Sequence, residues 1–424
     1  MLDETDFHCL QHLPMNNSVC HMMTDYEGNA WFTSTRQGVM KLVPNQFSDL
    51  FERFGLPATV VNSTCMADGL LFLGADTGLT VLDENGPVAS VPLTGAMTAS
   101  GVDLEATDLL ELLSGSRIRA IVRDSKGRLG ISTWQGGGLL RYDHGEVLAF
   151  TDDDGLLSGR LRVAYEREDG SVLVVNSGGL SVIEGDRVVR NYGKEDGIVN
   201  SENLTVTEGF HDDIILGSNG SGIYVITGEG TRNITIRDGL TSGIIMRVKR
   251  DPQRRLFWIV TSNSFAYMTE DYRVTTIREF PYSNNYDLYE NSMGDMWILS
   301  SNGIYVTPTD ELLANGEIRP VYYGMSNGLP GITTGNSYSE LTAEGDLCIA
   351  SSTGVVKVNI ETPFENVSDL KMAVPFLDVD GVRVYPDGDG SLYHPRGRAQ
   401  AHGQQLCLQF FPDEPAGLLS SGGL

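Results

Sequence analysis

Short apolar runs alternate with acidic or amide turns containing glycine along most of the chain. In its clearest copy the unit reads Asp25-Tyr26-Glu27-Gly28-Asn29, then the bulky strand Ala30-Trp31-Phe32-Thr33-Ser34, a small polar loop, and Gly38-Val39-Met40-Lys41-Leu42. Taking the bulky position as a marker, the copies fall at Trp31, Phe72, Gly130, Leu173, Ile215, Trp258, Trp297 and Cys348, separated by 41, 58, 43, 42, 43, 39 and 51 residues. A period of roughly 40 residues built from strands and tight turns predicts a β-propeller.

The pattern also predicts each strand's place in a blade. Asp or Asn hydrogen-bonds its own backbone and Gly supplies a positive φ, so turns such as Asp124-Ser125-Lys126-Gly127 and Glu168-Asp169-Gly170-Ser171 are hairpin chemistry. The bulky strand reads as a continuous apolar run, which predicts a central strand buried on both faces. A second Gly turns the chain into the third strand, and a more variable fourth strand, such as Val188-Val189-Arg190-Asn191-Tyr192, carries it outward. The sixth copy departs most: its turn is Asp251-Pro252-Gln253-Arg254, and Phe265 stands near the expected second Gly. The 58-residue interval carries an insertion in which Asp103–Leu113 predicts a short helix, and the 51-residue interval holds Asp310–Gly316 and Asn327–Gly331. Both insertions map to loops on the propeller faces, where binding often resides.

These elements give an all-β fold: a seven- or eight-bladed β-propeller of four-stranded blades over residues 1–360, with a partial β-sandwich segment after it. Eight copies close either as eight blades or as seven with one belonging to a preceding propeller. Residues 361–373 form a linker. Two strand candidates come next, Val374–Val379 with Val382–Tyr385, and Gln405–Phe411, the opening of an incomplete β-sandwich domain over 374–424.

Composition narrows the function classes. The 424 residues carry 56 acidic against 30 basic side chains, a net charge of −26. Such a field repels nucleic acid and anionic lipid. No run approaches the roughly 20 apolar residues of a membrane span, and Met1–Asp6 is not a secretory signal. The five cysteines, Cys9, Cys20, Cys65, Cys348 and Cys407, lack paired spacing, which argues against a zinc site, while a Cys9–Cys20 bridge stays open. Cofactor, catalytic and metal signatures are absent: there is no H-E-x-x-H, no G-x-S-x-G, no P-loop and no dinucleotide fingerprint. Asp152–Gly155 and Asp387–Gly390 lack the distal Glu of a calcium loop, and turn chemistry explains both.

Candidate ligand-binding residues lie in the loops between second and third strands, which should open on one face around a central channel: Arg36 and Gln37, Asp76, Trp134 and Gln135, Asn176, Asn219, Asn263 and Asn302. Amides pair with hydroxyls and Trp134 stacks on an apolar sugar face, so the ring suits a small polar ligand such as a saccharide. Each Asn or Asp taken singly is explained as well by turn shaping. Trp31, Trp258 and Trp297 sit in strands and are assigned to blade packing.

The repeat resembles that of the two-component regulator propeller family, whose usual form is L-P-x-N-x-V-x-x-I-x-x-D-x-x-G-x-L-W-I-G-T-x-x-G-L-x-R-Y-D. Leu13–Val19 with Trp31–Thr33, Met296–Ile298 and Leu139–Asp143 carry the likeness, which covers residues 1–360; the segment 374–411 is similar to the start of the Tyr-rich β-sandwich that succeeds such propellers. The resemblance implies the extracytoplasmic, ligand-sensing input domain of a bacterial receptor, whose full length adds a membrane span, a histidine kinase or diguanylate cyclase output domain and a dimeric assembly. The chain carries none of the span, kinase or cyclase sequences, so the expectation is a fragment or truncated product that acts by binding rather than catalysis. A propeller enzyme such as a polysaccharide lyase and a protein-interaction platform are the alternatives, since propeller active sites leave no compact signature.

Overall fold

The computed structural model describes residues 15, 18–25, 29–42, 45–135, 137–281, 283–325, 328–362, 376–379 and 382–385. Among these, seven sheets of four or five strands succeed one another around a ring. Blade 1 is Val61–Ala67, Leu70–Ala75, Gly78–Asp83 and Gly86–Pro87. Blade 2 is Ile118–Arg123, Leu129–Thr133, Leu139–Asp143 and Glu146–Phe150. Blade 3 runs from Leu161–Glu166 to Arg187–Tyr192, blade 4 from Asn203–Glu208 to Gly230–Ile234, blade 5 from Ile245–Asp251 to Val274–Thr276 and blade 6 from Asn285–Glu290 to Val321–Tyr323. Blade 7 has Glu340–Leu341, Asp346–Ala350 and Val355–Asn359, and its outer strand is Ser48–Asp49, contributed from the chain before blade 1. Blade 7 packs against the inner strand of blade 1 and is bonded to blade 6 through Asn291 Nδ2 to the Ile360 carbonyl at 3.0 Å, so the ring is closed.

The two blade counts left open by the sequence are thereby resolved at seven. The first copy forms a separate three-stranded sheet, Val19–Thr24, Ala30–Ser34 and Gly38–Leu42, with its first strand exposed throughout. Six of the remaining seven markers do as the pattern requires, Gly130 being the exception. Phe72, Leu173, Ile215, Trp258, Trp297 and Cys348 are all at most 3% exposed, in the apolar layers between blades. Two tryptophans explain why an acidic residue closes the preceding strand: the Trp31 indole donates to Asp25 at 2.7 Å and the buried Trp258 indole to Asp251 at 3.1 Å, which satisfies the indole N–H. The Gly of the hairpin turns takes φ between +82° and +86° at Gly127, Gly170, Gly294 and Gly345. In the sixth copy Phe265 is fully buried and stacks on Trp258 at 5.4 Å.

The insertions differ in destination. In the first, Gly95–Thr98 adds a fifth, parallel strand to the outer edge of blade 2, and Leu109–Leu112 is a helical turn capped by Asp108. This insertion packs on the blade edge and not at the channel. The second begins with the helix Thr309–Ala314 and ends in a segment, 332–340, that crosses the channel. Chain contacts divide the protein into residues 1–363 and 364–424. In the second unit Leu377–Val379 pairs antiparallel with Val382–Val384. The strand candidate at 405–411, Cys9 and Cys407 lie outside the described residues. Cys20, Cys65 and Cys348 are free thiols.

Candidate functional site at the mouth of the central channel

A repeated irregularity builds the site. In blades 1 to 6 the inner strand shifts register near its start, between Val61 and Ser63, Ile118 and Ala120, Leu161 and Val163, Asn203 and Thr205, Ile245 and Arg247, and Asn285 and Asp287. The bulged residues are Asn62, Arg119, Arg162, Leu204, Met246 and Tyr286. A bulge re-aims a side chain at a strand end, and here the same displacement recurs around the ring. The second-to-third-strand loops sit at this same end, because a loop N–H bonds the residue preceding the inner strand: Trp134 to Arg117 at 2.8 Å, Ser177 to Arg160 at 2.9 Å, Asn219 to Glu202 at 2.9 Å and Ser301 to Asn284 at 2.8 Å.

A small cavity of about 10 Å³ lies here, lined by Arg119, Arg162, Leu204, Arg247, Gly335, Asn336 and Tyr338. Its floor is the crossing segment. Tyr338 N donates to the Asn62 carbonyl at 2.7 Å, and its hydroxyl reaches across to the Leu204 carbonyl at 2.6 Å. The Arg247 guanidinium lies 3.6 Å from the Tyr338 ring centroid and donates to the Ser337 carbonyl. Arg162 donates to Asn336 Oδ1 at 3.0 Å. Tyr289 donates to the Ser339 carbonyl. One stretch of chain therefore ties blades 1, 3, 4, 5 and 6 together across the axis.

Beneath it, Asp287 is buried between Arg247 at 3.3 Å and Lys249 at 2.7 Å. Burial pushes the Asp287 carboxyl up, but Lys249 and Arg247 outweigh it and hold the group below its usual range. Above, burial pulls the Arg119 and Arg162 guanidinium groups down, and burial raises the Tyr338 phenol.

The candidate residues read from the loops divide into three groups. Trp134 and Asp76 reach the cavity's surroundings. The Trp134 ring lies 5.2 Å from the Arg119 guanidinium and 4.4 Å from that of Arg162, so the ring is engaged by two cations and is not simply an open stacking platform. Asp76 accepts from Asn62 at 2.8 Å, pairs with Arg117 at 3.2 Å and lies 3.9 Å from Arg119. Gln135 is exposed beside Trp134. Asn176, Asn219, Asn263 and Asn302 serve their own turns and neighbours. Asn176 is 1% exposed and donates to Ser181 at 2.7 Å. Asn219 holds Glu202 at 2.7 Å, Asn263 accepts from Thr261 and Thr241, and Asn302 accepts from Ser300 and Ser283. Arg36 and Gln37 belong to the separate three-stranded sheet and not to the ring. The arginines escaped the loop-based reading because they sit inside strands. Their signal was present: a cation inside an otherwise apolar inner strand, as in Ile118-Arg119-Ala120-Ile121 or Leu161-Arg162-Val163-Ala164.

No protein-family model matches the chain, and no curated protein matches it. Solved structures do. The extracellular domain of the putative hybrid two component system BT3049 from B. thetaiotaomicron is similar over 86% of this chain at a TM-score of 0.67 and 18% identity, and 47% of that chain is covered. The corresponding domain of BT4673 from the same organism matches over 93% at a TM-score of 0.58 and 15% identity, with 52% of its own length covered. The chain thus spans about half the length of these two domains. A virginiamycin B lyase from Staphylococcus aureus matches over 72% of this chain and 96% of its own, at a TM-score of 0.54 and 12% identity. These likenesses establish the propeller fold.

Proposed function

We propose that this chain is a ligand-sensing input domain of a two-component-type receptor, working outside the cytoplasm by binding and conformational change. The likeness to extracellular domains of hybrid two component systems over most of the ring is the observation that supports it. Among the described residues no helix is long and apolar enough to cross a membrane, and no group of three or more His, Cys, Asp or Glu side chains is arranged to hold a metal ion. The ligand is a small polar molecule, a saccharide being the leading class, received at the channel mouth by Trp134, Gln135, Asp76 and the inner-strand arginines. Ligand contact there bears on the segment that joins five blades, so binding has a direct route into the ring.

A thermal-shift screen with sugars, peptides and nucleotides tests this reading, because a ligand selective for the native state raises its melting temperature. A hit abolished by Trp134→Ala supports it. Turnover of a polysaccharide with no stabilising ligand overturns it in favour of the lyase alternative.

A further inference from the structure

The channel mouth carries more positive charge than its carboxylates balance. Arg117, Arg119, Arg162, Arg247 and Lys249 converge on it, and the carboxylates that face them are Asp76, Asp287 and Glu202. Asp287 is already shared between Arg247 and Lys249, and Asp76 sits nearer Arg117 than Arg119. Arg162 has only the neutral Asn336 oxygen as a close acceptor among the described residues. Arg119 is 8% exposed, and neither its Nε nor that of Arg162 has a hydrogen-bond partner among the described residues. Buried charge without a counter-charge is costly, and the excess here lies within a chain of net charge −26. Two guanidinium forks held against one indole form a planar, pre-oriented donor set of the kind that recognises oxyanions.

We propose that the channel mouth binds the oxyanion group of a small ligand, a carboxylate or a sulfate, between Arg119 and Arg162. This deepens the sensing reading and rests on it for its biological meaning. The cavity has room for about one water-sized group, so it receives the tip of the ligand, an oxygen of the anionic group. The body of the ligand lies outside, along Trp134 and Gln135. Among saccharides, uronic acids and sulfated sugars carry that chemistry and plain hexoses do not.

Isothermal titration with glucuronate, glucose 6-sulfate and glucose, on the whole chain, tests it. Binding of either charged probe, weakening with added salt and absent for glucose, is the expected result. A uronate-only or sulfate-only outcome supports the proposal and fixes the group. Arg162→Gln and Arg119→Gln should each raise Kd at least about tenfold, since a charge-assisted hydrogen bond is lost. Arg162→Lys, which keeps the charge and loses the fork, should give an intermediate value and guards against a folding artefact. Quenching of fluorescence by the bound probe should vanish in Trp134→Phe. Charged probes that fail to bind, or that bind equally well to both Gln variants, overturn the proposal. If a neutral sugar binds at Trp134 regardless of the arginines, the oxyanion inference falls while the sensing reading stands. If no ligand of any charge raises the melting temperature, the sensing reading falls with it.

Discussion

A single carboxylate shows how the channel tolerates charge. Asp287 accepts from Arg247, Lys249 and the Leu288 N–H, so its ionised form is the one the folded protein prefers. Asp287→Asn should cost about 3–5 kcal/mol in urea denaturation, because two cations lose their shared partner. The pH dependence has a definite sign. The folded-state pKa lies below the unfolded value of about 3.9, so this stabilisation is present above about pH 4 and fades as pH falls through the folded value. Midpoints measured across the acid range should therefore show a smaller loss in Asp287→Asn than in the parent. Trp134 teaches a related lesson about reading residues. Its loop position beside three glycines marked it in the sequence, but its partners, Arg119 and Arg162, come from strands of two different blades. A sequence shows which side chain is unusual and not what faces it.

Among the elements, the central strands were the most legible. Their apolar runs and turn residues repeat at intervals that only a few mismatches blur. What the repeat could not show is how tightly neighbouring blades approach at each point. Gly217, near the end of a second strand, has no room for a side chain: a Cβ there would lie 2.6 Å from Thr205 Cγ2 and 2.7 Å from Ile245 Cγ2. Gly217→Ala should cost about 1–3 kcal/mol through overpacking. Gly130 occupies the marker position of blade 2 and is the opposite case. It borders a cavity of about 250 Å³ between blades 2 and 3, lined by Leu139, Phe150, Ala164 and Ile183, and a Cβ would sit at 3.5 Å or more from its neighbours. Gly130→Ala should stabilise the fold by about 0.4–1 kcal/mol through loss of unfolded-state freedom. Chemical denaturation of the pair checks both signs at once. The inner-strand bulges left a mark only where the skipped residue is a cation, as at Arg119 and Arg162; Leu204 and Met246 give no such sign.

At the scale of the whole molecule, spacing alone left the number of blades open because it counts copies and not closures. The deciding residues, Ser48 and Asp49, belong to no copy. They pair with Lys357 and Val356 on the far side of the sequence. Phe51, just after them, is 5% exposed and packs in the cluster that also holds Val61, Leu73 and Val355. Phe51→Ala should cost about 3–5 kcal/mol, and unfolding monitored by both fluorescence and circular dichroism should show the ring losing stability as one unit. The second insertion was recognised as a long loop, but its role as a floor spanning five blades depends on contacts far apart in sequence, Tyr338 with Leu204 and with Asn62.

The ring closure has a mechanical consequence. The chain comes in at Ser48 and goes out just past Asn359, and both ends are strands of blade 7. A pull applied between residues before Ser48 and residues beyond Asn359 acts on the two residue pairs that join the ends in blade 7, Ser48 with Lys357 and Asp49 with Val356, and on the bond from Asn291 of blade 6 to the Ile360 carbonyl. Blade 7 is then the clasp of the necklace, the place where the two ends of the ring are fastened to each other.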